Sequence, residues 1–235
     1  MRHTVVLSDL HLWEAVDGDG LWMRYRQRRF FPDESIARLL EALTRDVADG
    51  DFELVLNGDI FDFDVPRPDG RDDTPHTEGD AARRIDRILD HHPGFVTALA
   101  KLVSRGHRVV FVSGNHDVQL AFAAVRERIL ARLESAVAEL SRGAAVGVRA
   151  RVLFRAWFHR TRDGVHVEHG HQYDPYCATR YSTLVSARQH SRHEFTDAEL
   201  AWRRDDRRAT DATARRRCVS SMGALESAAS PVTSR

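Results

Sequence analysis

Four apolar runs in this chain each stop at a small cluster of Asp, His and Asn: "TVVLSDLHL" (4–12), "FELVLNGDIFDF" (52–63), "HRVVFVSGNHD" (107–117) and "VHVEHG" (165–170). The first three are rich in β-branched and aromatic residues at consecutive positions, the signature of a strand buried on both faces. Helical spacing fills the gaps. "FFPDESIARLLEAL" (30–43) opens with proline and acidic residues, as a helix start does, and Asp80 to Ser104 and Val118 to Leu140 carry apolar residues at helical intervals. "VRARVLFRAWF" (148–158) alternates like one half-exposed strand, and Pro66 to Gly79 reads as an exposed loop. Strands alternating with helices predict an α/β domain on a largely parallel sheet.

Charge narrows the function. With 35 basic and 35 acidic residues the chain lacks the bulk positive charge of a protein that grips nucleic acid through its phosphates, so a nucleic-acid partner is not expected. Cys177 and Cys218 fit no CxxC pattern and read as free thiols in a reducing compartment. No apolar run reaches membrane-spanning length, and a first strand beginning by Thr4 leaves no room for a signal peptide, so the expected location is cytoplasmic. From Arg203 to Arg235 the chain has no aromatic residue and no isoleucine. Such a segment buries too little apolar surface to offset its ordering entropy, so 1–202 is expected to be the domain and 203–235 a disordered tail.

The chemistry gathers at the ends of the four runs, which deliver Asp9 and His11, then Asp59, then Asn115, His116 and Asp117, then His169. In open α/β sheets the carboxyl ends of the strands form the ligand crevice, so residues far apart in sequence converge there. Carboxylate and amide oxygens with imidazole nitrogens suit divalent Mn, Fe or Zn. Gly58 and Gly114 permit tight turns beside these residues. A lone DxH, or GD after a strand, means little, but four such pieces in one order are hard to obtain from packing alone.

"SDLHL", "GDIFD", "SGNHD" and "EHGH" together resemble the ordered motifs of the calcineurin-like metallophosphoesterases over roughly residues 1–175. The resemblance implies a four-layer α/β/β/α sandwich and two divalent metal ions. Asp9 and His11 would bind the first, Asp59 would bridge, and Asn115 and His169 would bind the second. His116 would act on the substrate with Asp117 orienting its ring. The implied reaction is phosphoester hydrolysis, in which a metal-bound hydroxide attacks phosphorus between cations about 3.5 to 4 Å apart. Complete members carry a final GHxH, and this sequence has none. A chain incomplete or frame-shifted near Arg203 would account for that. So would His169 and His171 serving as the pair with His159 as fourth-motif ligand, recruitment of His190 or His193, or a centre incomplete by design.

The implied substrate is a phosphorylated small molecule or a lipid-linked phosphate, since the motifs resemble both general phosphatases and UDP-diacylglucosamine hydrolases. Arginine-rich "WMRYRQRRFF" (22–31) reads either as a funnel for phosphate or an anionic membrane surface, or as a solvated loop. His91, His92 and His107 read as structural, Cys177 as a packed thiol, and His171 as pocket-lining or a loop residue. A non-catalytic remnant and a nuclease are the competing functional classes. Deleting 203–235 should leave the thermal midpoint nearly unchanged; a drop beyond a few degrees, about the effect of 1 kcal/mol in a domain this size, would show that the segment packs.

Overall fold

The computed structural model describes residues 3–14, 32–65, 77–140, 147–174 and 177–178. The expected tail, the arginine-rich 22–31, most of the loop after Pro66, His190, His193 and Cys218 lie outside the described residues. Strands β1 (His3–Leu7), β2 (Phe52–Asn57), β3 (Arg108–Val112) and β4 (Val152–Arg155) form one sheet in that order, every pair parallel. Between them run α1 (Pro32–Thr44), α2 (Glu78–His91), α3 (Pro93–Ser104), α4 (Ala123–Leu140) and the one-turn α5 (Val148–Arg151). Strands taken in sequence order with crossovers of a single hand leave their helices on one face of the sheet. On the other face lies a two-stranded antiparallel hairpin, β5 (Phe158–Arg160) with β6 (His166–Glu168).

The two faces have different cores. Phe61, Phe95 of α3, Phe111 and Phe154 make a chain of ring contacts, with Phe111 stacked at 6.0 Å from Phe61 and 5.2 Å from Phe154. Val55, Val110 and Val112 pack instead with Val167 of β6 and with Leu153. Glu53, buried in β2, is matched by Arg108 at 3.2 Å and by His159 of β5 at 3.3 Å, so its charge is not left alone in the interior. Helices, parallel sheet and hairpin thus form three successive layers among the described residues.

The structure corrects three details of the expected elements. β1 is not buried on both faces: it pairs only with β2 among the described strands, and Val6 is 45% exposed. The helical stretch 80–104 breaks at His92–Pro93, because proline has no amide donor and its ring disfavours helical backbone in the residue before it. "VRARVLFRAWF" is not one strand. Its first residues turn as α5, its middle pairs with β3, and after Ala156–Trp157 the chain crosses to the other face and pairs with β6. Because Phe111 is buried between two stacked rings, Phe111→Ala should cost about 3–5 kcal/mol, measured as a lower urea midpoint with an unchanged slope.

Candidate functional site

Past their last strand residues, the loops after β1 and β2 stay zipped together. Asp9 N–H donates to Gly58 O (3.1 Å), His11 N–H to Asp59 O (2.9 Å), Leu12 N–H to Ile60 O (2.8 Å), and Asp62 N–H returns to Leu12 O (2.8 Å). This ladder holds Asp9, His11 and Asp59 at φ of 58°, 47° and 52°, and no other non-glycine among the described residues has positive φ. Left-handed backbone costs a non-glycine residue about 1 kcal/mol or more, and such outliers cluster at functional sites. Close approach also explains two glycines. A Cβ on Gly58 would run into the His169 ring, and one on Gly114 into Asp59.

Asp59 is the hub. Its Oδ1 accepts the His116 N–H (2.9 Å), while its Oδ2 lies 3.3 Å from His169 Nε2 and 3.8 Å from His11 Nε2. Each of those rings is held from behind. His169 Nδ1 donates to the Asn57 carbonyl (3.0 Å), and His11 Nδ1 meets Asp62 Oδ2 at 3.2 Å. A carbonyl can only accept, so the His169 proton sits on Nδ1 and Nε2 is the nitrogen turned to Asp59. Burial opposes ionisation of Asp59, but the His169 hydrogen bond and the charges of His116 and His169 outweigh it and hold the carboxyl below its usual range. Burial likewise opposes charge on His169, yet Asp59 pushes it up to about 9.

Asp62 is the residue the sequence reading missed, although it closes the same GDIFD motif three positions after Asp59. Fully buried, it lies between His11 and His116, whose ring centroids are 5.0 Å apart, with Oδ1 3.4 Å from His116 Nδ1. Asp64 adds a second carboxylate 3.5 Å from the same nitrogen. Against burial, the two histidines hold Asp62 far below the carboxylate range, and Asp62, Asp59 and Asp64 push His116 up to about 9.

Asp117 does something other than expected. It does not orient the His116 ring: Oδ1 accepts the Gly114 N–H (2.6 Å), and Oδ2 accepts those of Ile60 (2.8 Å) and Phe61 (3.4 Å). Asp117 therefore staples the turn after β3 to the turn after β2. Burial and the nearby Asp59 charge push it up to about 7, against the pull of those three donors. Asn115 is half-buried on the same turn, next to His116. His171 is buried with its ring 5.3 Å from His169, and burial and that charge push it down to about 4. His159 faces Glu53 instead of this cluster.

Two sets of side chains could each close on one cation, Asp9–His11–Asp59 and His11–Asp62–His116, with ligand atoms within 4.8 Å of one another. The donor set fits a divalent cation, because His11 and His169 have their rings fixed from behind by an acceptor, as metal-binding imidazoles do.

Without metal the raised histidines set a pH dependence. A histidine raised from about 6.5 to about 9 contributes stability that is fully present below pH 6.5 and lost as pH climbs through 9. Chelated protein should therefore melt several degrees lower at pH 9.5 than at pH 6.5, and His169→Gln should shrink that fall. A flat melting temperature across the interval would contradict it.

Comparison with known proteins bears on the whole chain. Neither the curated proteins nor the solved structures give a match. The family model for calcineurin-like phosphoesterase, however, matches residues 2–220, running past the expected boundary at residue 202. Nearly the full length is thus covered by one family, whose motifs stand at the ends of the strands that a parallel sheet requires, and the chain belongs to the calcineurin-like phosphoesterases.

Proposed function

We propose that this protein is a metal-dependent phosphoester hydrolase whose cations are held by Asp9, His11, Asp59, Asn115 and His169. The observation that carries this reading is the placement of Asp59, with His11 and His169 both presenting Nε2 to one of its oxygens. In the metal-free state both nitrogens face a carboxylate; in the loaded state the same lone pairs would serve a cation. A pair of Mn, Fe or Zn ions there would supply an acidified water as nucleophile and neutralise charge on the phosphoryl oxygens.

The remaining work falls to the chain's own groups. Asp62 and Asp64 stand at His116 Nδ1, so that Nε2 can hold a proton for the leaving oxygen as the phosphorus–oxygen bond breaks. Asp117 acts through the backbone, keeping the turn that carries Asn115 and His116 against the loop that carries Asp59. These 235 residues carry no GHxH, so slow turnover is the expectation in this reading for the chain as it stands. The substrate class that suits the site is a phosphorylated small molecule or a lipid-linked phosphate. No helix among the described residues is long and apolar enough to cross a membrane.

Two measurements test the assignment. Asp59→Asn should lose bound metal by elemental analysis, with Asp9, His11 and His169 substitutions losing less; unchanged metal content in Asp59→Asn would refute the hub. Manganese-dependent hydrolysis of an aryl phosphate and an aryl phosphodiester should be abolished by chelation. It should fall about 10²–10⁴-fold in His116→Asn at unchanged metal content. Absence of any metal-dependent hydrolysis would favour a non-catalytic remnant, and tight, salt-sensitive binding of single-stranded DNA would favour a nuclease.

A further inference from the structure

Arg84 of α2 is among the largest side chains with essentially no exposure, at 1%. A guanidinium in that position is costly unless its partners are well placed. Its Nε lies 3.0 Å from Glu14, which is itself only 4% exposed, and Nη2 donates to the carbonyl of Val65. Arg87, three residues further along the helix, donates to the same Glu14 oxygen at 3.0 Å from the more exposed side, so two guanidinium groups face one carboxylate. The sequence positions of these partners are informative. Glu14 follows His11 by three residues, and Val65 follows Asp62 by three.

The backbone ladder between the two ligand-bearing loops ends at Leu12 and Asp62. Beyond it Arg84 meets one loop through an ion pair with a side chain and the other through a hydrogen bond to its main chain, from a single planar group whose geometry is fixed. We infer that Arg84 is a positioning residue for the candidate centre: by binding Glu14 and Val65 together it sets the separation of His11 from the Asp62–His116 pair. The cation part of this inference rests on the proposed metal site; the loop geometry stands apart from it. A purely stabilising role predicts something different, because a buried ion pair exchanged for apolar side chains of similar volume is often neutral or stabilising. The loop after β1 also keeps an independent anchor, since His92 Nε2, held by Asp33 on its other face, donates to the Trp13 carbonyl at 2.9 Å.

The test compares the full chain with Arg84→Met/Glu14→Leu, which removes both charges, and with Arg84→Lys, which keeps the charge but not the fork. Thermal midpoints check folding. Two readouts check position: the ring ¹H–¹⁵N signals of His11 and His116 in metal-free protein, and the affinity and visible spectrum of bound Co²⁺. The expected result is a folded double variant with displaced His11 and His116 ring signals, an altered cobalt spectrum and about tenfold weaker cobalt binding, the scale seen when groups behind metal ligands are changed. Arg84→Lys should move both readouts in the same direction and less far. Ring signals and cobalt binding that match the unsubstituted chain in either folded variant would overturn the inference. If the unsubstituted chain takes up no cobalt, the metal reading fails, and the ring signals alone still decide whether Arg84 positions the loops.

Discussion

A carboxylate removed from water must be answered by donors or cations, and three of them are buried just past the ends of β2 and β3. Asp59, Asp62 and Asp117 are each nearly or wholly without solvent contact. Isolated, such groups would cost several kcal/mol apiece or give up their charge. Each is answered differently. Asp117 is answered by three backbone N–H groups, Asp62 by two imidazoles and the Asp64 N–H, and Asp59 by one backbone N–H and the Nε2 atoms of two rings. The last two arrangements set imidazoles against a carboxylate, and these are the places where a cation could be held. The loops are shaped around that difference.

The parallel sheet makes the arrangement affordable. Register between β1, β2 and β3 brings their carboxyl ends side by side, so the loops meet in line and continue hydrogen bonding after the strands stop. Continuing requires Asp9, His11 and Asp59 to adopt left-handed backbone. That strain is borne where Asp9, His11 and Asp59 come together, while the sheet beneath them remains regular.

Much of this was legible because the apolar runs and the charged clusters share boundaries. Asp9, His11, Asp59, His116 and His169 each follow a run that reads as a strand, and the structure brings Asp59 within 3.8 Å or less of the His11 and His169 rings. Asp62 was less visible, since a carboxylate inside "GDIFDF" reads as an exposed turn unless one knows that two histidines from other loops close over it. The role of Asn57 was hidden for a similar reason: its carbonyl holds His169, and a main-chain acceptor carries no sequence signature. Adjacency in sequence points Asp117 to His116, whereas its carboxylate reaches back 57 residues to the Ile60 amide. Splitting of 148–158 depended on β6, whose pairing is non-local.

The Glu53–His159 pair has a further consequence for His169. In β5–β6 the side chains alternate between the sheet and the outside, so a slip of one residue would turn His159 outward and leave Glu53 with one fewer buried partner. The same slip would carry the chain about 3.3 Å along the strand. His169 stands one residue beyond β6, and its Nε2 now lies 3.3 Å from Asp59, so that displacement would be as large as the whole gap. The Glu53–His159 contact on the paired strand therefore acts as a detent, indexing the hairpin so that the residue after β6 arrives in reach of the neighbouring sheet.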